Sequence, residues 1–197
     1  MMRKPSRRKL STCSPVTTAL RYPRVAGLDK EPLETFLEAV AETTPAPGGG
    51  SSAAVAVALA ASLVEMSAGI ASADGAAERA RALRFEALRL AEDELTSYAP
   101  VLEAQTEADR MTALDAASKP PAQIAELAAD VAELGLEVAG SASDAVRGDA
   151  LTGVTLAEAA ASAAARLVGI NLGSGPVLER AQRAAERAAN ARESAAG

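Results

Sequence analysis

The chain has 197 residues, with 26 acidic and 20 basic side chains, no histidine and one cysteine, Cys13. That composition excludes Ser-His-Asp triads, Cys/His nucleophile pairs and ordinary zinc sites, so any proton transfer must run through carboxylates, tyrosine, lysine or water. Helix formers dominate, and the only aromatic residues after Tyr22 are Phe36, Phe85 and Tyr98, which predicts an all-α fold: a compact multi-helix bundle with a core of Ala, Leu, Val and Ile.

Residues 1–28 hold seven of the basic residues and no acid, leaving 13 basic against all 26 acidic residues from Asp29 onward. They read as a basic disordered tail, with a transit peptide or a start codon set too far upstream as the alternatives. The domain proper, residues 29–197, is strongly acidic, which argues against nucleic-acid or anionic-membrane partners. Glu65 interrupts the longest apolar run, so no membrane span is expected, and the chain reads as soluble and cytoplasmic.

A first helix is predicted from Pro32 to about Thr43, with Leu33, Phe36, Leu37 and Val40 on one face. Next comes Thr44-Pro-Ala-Pro-Gly-Gly-Gly-Ser51. Two prolines stiffen the approach, three glycines allow positive φ and close backbone approach, and Ser51 is placed to cap the following helix. Free N–H groups at such a helix start suit a ligand oxygen, which makes Pro47, Gly48, Gly49, Gly50 and Ser51 candidate binding residues. The competing reading is a glycine turn that lets Ala-faced helices pack closely. The helix from Ser51 to about Ser72 is apolar nearly all round and belongs in the middle of the bundle.

A turn at Asp74-Gly75 leads into a long helix to about Gln105, bent at Pro100. A shorter helix, Glu107 to Ala117, is expected to stop at Lys119-Pro120-Pro121, and another to run on to about Gly140. Ser141 to Gly148 reads as a loop, Asp149 as the start of a helix to Leu172, and Gly173-Ser-Gly-Pro176 as the break before a last, mostly solvated Arg/Glu-rich helix.

Three polar residues break the apolar pattern. Glu94 falls on the buried stripe of the third helix between Leu90 or Ala91 and Tyr98. A carboxylate there is either paired with an arginine on another helix or raised in pKa by desolvation into the range useful for acid-base work. Tyr98, one turn later, can donate its hydroxyl to Glu94 or to a ligand. Asn171 ends the stripe Gly153, Leu156, Ala160, Ala164, Leu167, where a buried amide serves either a heterocycle or a neighbouring backbone. Asp149, after Arg147-Gly148, needs no role beyond an N-cap on pattern alone.

Taken in order, these segments resemble the cyclodeaminase domain of formiminotransferase-cyclodeaminase and the stand-alone methenyltetrahydrofolate cyclohydrolases. The similarity begins at Leu33-Glu-Thr-Phe-Leu37 and is most specific at Thr44-Pro-Ala-Pro-Gly-Gly-Gly-Ser51. It resumes at Glu94-Leu-Thr-Ser-Tyr98 with Val101, similar to a D-A-x-A-[FY]-x-x-V-M segment, and closes with Arg147-Gly-Asp149 and Ile170-Asn-Leu172. Glu94 stands where the family has aspartate, and Leu167-Val-Gly-Ile-Asn171 where it has N-V-R-I-N.

The resemblance implies an all-helical homodimer acting on one-carbon units carried by tetrahydrofolate. No metal is expected. It implies hydrolysis of 5,10-methenyltetrahydrofolate to 10-formyltetrahydrofolate, or deamination of the 5-formimino form. Glu94 and Asp149 are the catalytic candidates, and Pro47, Gly48, Gly49, Gly50, Ser51, Tyr98 and Asn171 the folate-binding ones. The alternative is a catalytically silent helical dimer that binds a folate or similar planar anion.

Overall fold

A computed structural model describes residues 32–44 and 46–195. The N-terminal basic segment lies outside the described residues. The fold is all-α, with eight helices in the described part: α1 Leu33–Ala41, α2 Gly49–Ile70, α3 Asp74–Ser97, α4 Ala99–Glu103, α5 Glu107–Ala117, α6 Lys119–Ser141, α7 Asp144–Leu172 and α8 Pro176–Ala195.

Helices α2, α6 and α7 each pack on the other two, with α3 against the α2–α6 pair and α8 against the α6–α7 pair. Small residues make this possible. A Cβ added at Gly153 of α7 would lie 3.0 Å from the Ala60 carbonyl oxygen and 3.0 Å from Val64 of α2, and one at Gly135 of α6 would lie 2.9 Å from Val154. The three backbones meet at that level, and the surrounding core is almost entirely alanine and valine, as expected of helices that approach closely.

Three contacts fix how α2 and α7 run. Ser67 Oγ donates to the Val146 carbonyl at 3.4 Å, Gly153 sits against Ala60 and Val64, and Gly49 against Leu167. The two helices are therefore antiparallel along their whole length. By length and composition alone both could cross a membrane, with mean hydropathy 1.9 for α2 and 1.3 for α7, although Glu65 led us to expect no such span. Glu65 itself accepts from Arg81 at 2.8 Å and Arg84 at 3.0 Å on α3, which satisfies the one charge in the apolar run.

Several expectations about element ends are corrected. Helix α3 stops at Ser97, with Tyr98 as a shared cap, so the chain breaks before Pro100, which instead occupies the first turn of α4. Lys119-Pro120-Pro121 opens α6 rather than closing a helix. Proline fits there because first-turn N–H groups have no helical partner anyway. The expected Ser141–Gly148 loop is two residues, Ala142 and Ser143. Helix α7 starts five residues early because Val146 is buried against Ser67, and tertiary burial outweighs the helix penalty of Gly148.

Helix α8 is docked rather than mostly solvated. It buries Leu178, Ala181, Ala184, Ala188 and Ala191, and Arg180 and Arg187 reach Glu126, Asp130 and Glu133 on α6. On α1 only Phe36 is buried, while Leu33 and Leu37 are exposed, so its expected apolar face is covered at one position only among the described residues.

Candidate active site

The glycine run becomes the N-terminus of α2, but with different roles from those its composition suggests. Gly48 is the N-cap, with φ −134 and ψ −151, and no side chain caps the helix. Ser51 is the third helical residue, and Gly48, Gly49 and Gly50 all avoid positive φ. Extended and helical backbone suffices here, so positive φ is not what requires glycine. The first bond of the helix runs from the Ser52 N–H to the Gly48 carbonyl at 3.0 Å. The N–H groups of Gly49, Gly50 and Ser51 precede it and have no partner within the helix.

Close approach is what requires glycine. A Cβ at Gly50 would overlap the carboxyl group of Glu94. Glu94 comes from the last turns of α3, where the apolar stripe directs it inward against the start of α2. A Cβ at Gly49 would make only ordinary contact with Leu167, at 3.6 Å. The two adjacent glycines thus differ: Gly50 makes room for a carboxylate, and Gly49 has space for a small side chain.

Around these residues lies a cleft of about 230 Å³, lined by Gly48, Gly49 and Gly50 from α2, Glu94 and Tyr98 at the end of α3, and Leu167 and Asn171 from α7. Ala117 of α5 and Pro121 of α6 close its far wall. Glu94, Tyr98 and Asn171, singled out in the sequence as polar interruptions of apolar stripes, are therefore brought together beside the glycine run. Pro47 and Ser51 are buried and lie outside the set of residues lining the cleft.

The electrostatics of the cleft centre on Glu94. Its Oε1 is buried and has no hydrogen-bond partner among the described residues, and Ser51 Oγ is in the same position. Burial, with a smaller contribution from the neighbouring Asp93 carboxylate, pushes the Glu94 carboxyl up to about 7. The alternative of an interhelical arginine pair is not realised among the described residues, since Arg89 pairs with Glu86 and Asp93 instead. No hydrogen bond joins Tyr98 to Glu94. A carboxyl group that is half-ionised near neutral pH, beside free N–H groups at the positive end of a helix, can both exchange a proton and hold a developing negative oxygen nearby.

Asp149 is corrected. It is the sixth residue of α7, fully inside the helix and exposed, and is neither its N-cap nor part of the cleft. Asn171 lies 22 residues further along the same helix, about 33 Å away at 1.5 Å per residue. Within one copy of the chain, Asp149 and Glu94 do not share a site. The cleft residues not anticipated are Ala46, Leu95, Ser97, Ala117, Pro121 and Leu167. Pro120-Pro121 carried a usable signal, because consecutive prolines fit the first turn of a helix as well as they end one.

A family model described as formiminotransferase-cyclodeaminase matches residues 32–190. The chain belongs to this family. Among solved structures, the formiminotetrahydrofolate cyclodeaminase of Thermotoga maritima, a crystal structure at 2.80 Å resolution, has the same fold: the TM-score is 0.79 over 85% of this chain and 94% of that one, at 22% sequence identity. No curated protein sequence matches the chain. The family acts on tetrahydrofolate derivatives. Among the described residues no group of three or more acidic or cysteine side chains is placed to hold a metal ion.

Proposed function

We infer that this member of the formiminotransferase-cyclodeaminase family is a folate one-carbon enzyme that hydrolyses 5,10-methenyltetrahydrofolate to 10-formyltetrahydrofolate. The observation that carries this reading is Glu94: a buried carboxyl with an unpartnered oxygen and a pKa near 7, set against the free N–H groups of Gly49 and Gly50. In this reaction water attacks the electrophilic carbon between N5 and N10. Ionised Glu94 takes one water proton as the C–O bond forms. The C–N5 bond of the neutral adduct then breaks, Glu94 returns its proton to N5, and the hydroxyl proton leaves as the formyl carbonyl forms on N10. One proton is released overall, and one carboxyl group near neutral pKa serves both transfers. The α2 N-terminus stabilises the oxygen that bears negative charge on the way.

Tyr98 and Asn171 supply donor and acceptor groups for the pterin edge. The second reading is a folate-binding protein without turnover. It is favoured by Glu94 in place of aspartate, a side chain one methylene longer, and by Leu167 and Gly169 in place of an amide and an arginine.

One assay separates the two. Purified protein is mixed with 5,10-methenyltetrahydrofolate and the loss of its ultraviolet absorbance is followed. Acceleration over buffer that disappears in Glu94→Gln supports the enzyme. Ligand binding without any acceleration at high protein concentration leaves the silent binder.

A further inference from the structure

Among the described residues two buried side-chain oxygens have no hydrogen-bond partner, Ser51 Oγ and Glu94 Oε1. Buried polar atoms of a folded chain are nearly always paired, so two orphans at the same end of one helix seam point to a common cause. Other hydroxyls of the bundle are satisfied locally. Ser62 donates to the Ala58 carbonyl at 2.8 Å, Ser118 to Leu114 at 2.7 Å and Thr152 to Gly148 at 2.8 Å, each four residues back. The carbonyl four residues before Ser51 is that of Pro47, which lies ahead of Gly48, the N-cap whose carbonyl accepts the first bond of α2. Ser51 is thus denied the acceptor that a helix gives the others, although it is only 1% exposed.

Its place on α2 brings it to Glu94 instead. Ser51, Ala54, Ala58 and Glu65 recur at spacings of three, four and seven, so they share one side of the helix. Glu65 identifies that side as the one facing α3, because it accepts from Arg81 and Arg84. Glu94, at the other end of α3, meets α2 at Gly50, the residue next to Ser51. Helical Cα–Cβ bonds tilt toward the N-terminus, so the Ser51 side chain leans back toward the level of Gly50 and the Glu94 carboxyl.

We propose that Ser51 is a positioning residue whose hydroxyl pairs with Glu94 Oε1, directly or across one ordered water, and holds the carboxyl while Oε2 serves the cleft. The two oxygens are already divided in this way. Oε1 is buried, and Oε2 is the oxygen set closest against Gly50 in the cleft wall. A hydroxyl also suits a group that takes and returns a proton, because it donates to the carboxylate, accepts from the acid, and turns between staggered positions in moving from one to the other. A guanidinium has donors only and would hold the carboxyl permanently ionised. Ser51 does not line the cleft, so within one copy it acts on a ligand only through Glu94.

Few charges compete for this carboxyl. Its own helix brings Tyr98 and Asp93, the latter paired with Arg89, and α2 has no ionisable side chain from Gly49 to Val64. Helices α5 and α6 line the cleft with Ala117 and Pro121, whose charged neighbours Asp115 and Lys119 pair with each other at 3.8 Å. Helix α7 presents Leu167 and Asn171. Hydrogen bonds to an ionised partner are the stronger ones, so Ser51 favours the carboxylate, and its removal makes Glu94 hold its proton to higher pH.

The pairing is independent of any ligand; its consequence for turnover rests on the hydrolase reading. Full-length protein labelled with ¹³C at the glutamate carboxyls is titrated without ligand, and the Glu94 resonance is identified by its loss in Glu94→Gln. The Glu94 midpoint should rise by about one pH unit in Ser51→Ala and return to within a few tenths of wild type in Ser51→Thr, which keeps the hydroxyl. An unmoved midpoint in Ser51→Ala, or one that moves as far in Ser51→Thr, overturns the pairing. With 5,10-methenyltetrahydrofolate, the acid limb of the Ser51→Ala rate profile should move up by the same interval while KM stays within about twofold of wild type. A raised KM with an unmoved profile would make Ser51 a ligand contact and overturn the positioning role. A shifted midpoint in a protein whose wild type shows no turnover supports the pairing and removes the hydrolase reading alone.

Discussion

Replacing Glu94 with glutamine preserves shape and removes ionisation, which isolates what burial of this carboxyl does to the protein. In the unfolded chain the group titrates near 4.5 and in the folded one near 7. Between those values the unfolded chain releases a proton that the folded one keeps. Wild-type stability therefore falls as pH rises through this window and levels off above it. At about 1.4 kcal/mol for each tenfold change in proton affinity, the accumulated loss is roughly 3 kcal/mol by pH 8. Glutamine cannot ionise, so its stability lacks this component. Chemical denaturation of both proteins at intervals from pH 4 to pH 8 measures the difference, in which every other titrating group cancels. Glu94→Gln should gain on wild type by about 3 kcal/mol across the range, with most of the change between pH 4.5 and pH 7. A difference that stays constant with pH would refute the argument, because it would mean that the Glu94 carboxyl is solvated or paired in the folded protein.

Gly50→Ala forces the Glu94 carboxyl out of its position and should lower turnover by about a hundredfold, whereas Gly49→Ala, which meets only Leu167 at 3.6 Å, should stay within a few-fold of wild type in the absorbance assay; equal activities would show that Gly50 is not what seats the carboxylate. Gly153→Ala drives a methyl group into the Ala60 carbonyl and Val64, and should destabilise by about 1–3 kcal/mol in urea denaturation. Gly140→Ala, in open space near the end of α6, should stabilise by about 0.5–1 kcal/mol, and an equal effect at both sites would contradict the close crossing. Asp149→Asn and Asp149→Ser change an exposed position and should melt within about 0.5 kcal/mol of wild type.

Much of this protein was already decided by local chemistry. The all-helical fold follows from helix-former content, and the central place of α2 from a segment with no polar side large enough to face water. Glu94 was legible because a carboxylate at a position reserved for apolar side chains by a 3.6-residue period has to point inward, whatever it packs against. The glycine run was legible as the approach to a helix start, because proline and glycine interrupt helix and the alanine-rich run that follows resumes it. Packing alone decided the rest. Only the meeting of α2 and α3 shows that Gly50 makes room for Glu94 while Gly49 does not, since both glycines have the same sequence context and neither adopts positive φ. Where α7 begins depends on Val146 finding Ser67, 79 residues earlier in the chain, and this contact turned an expected N-cap at Asp149 into an exposed position inside the helix. An N-cap and a second-turn aspartate look alike in sequence because the difference between them is a long-range burial energy, which no local spacing records.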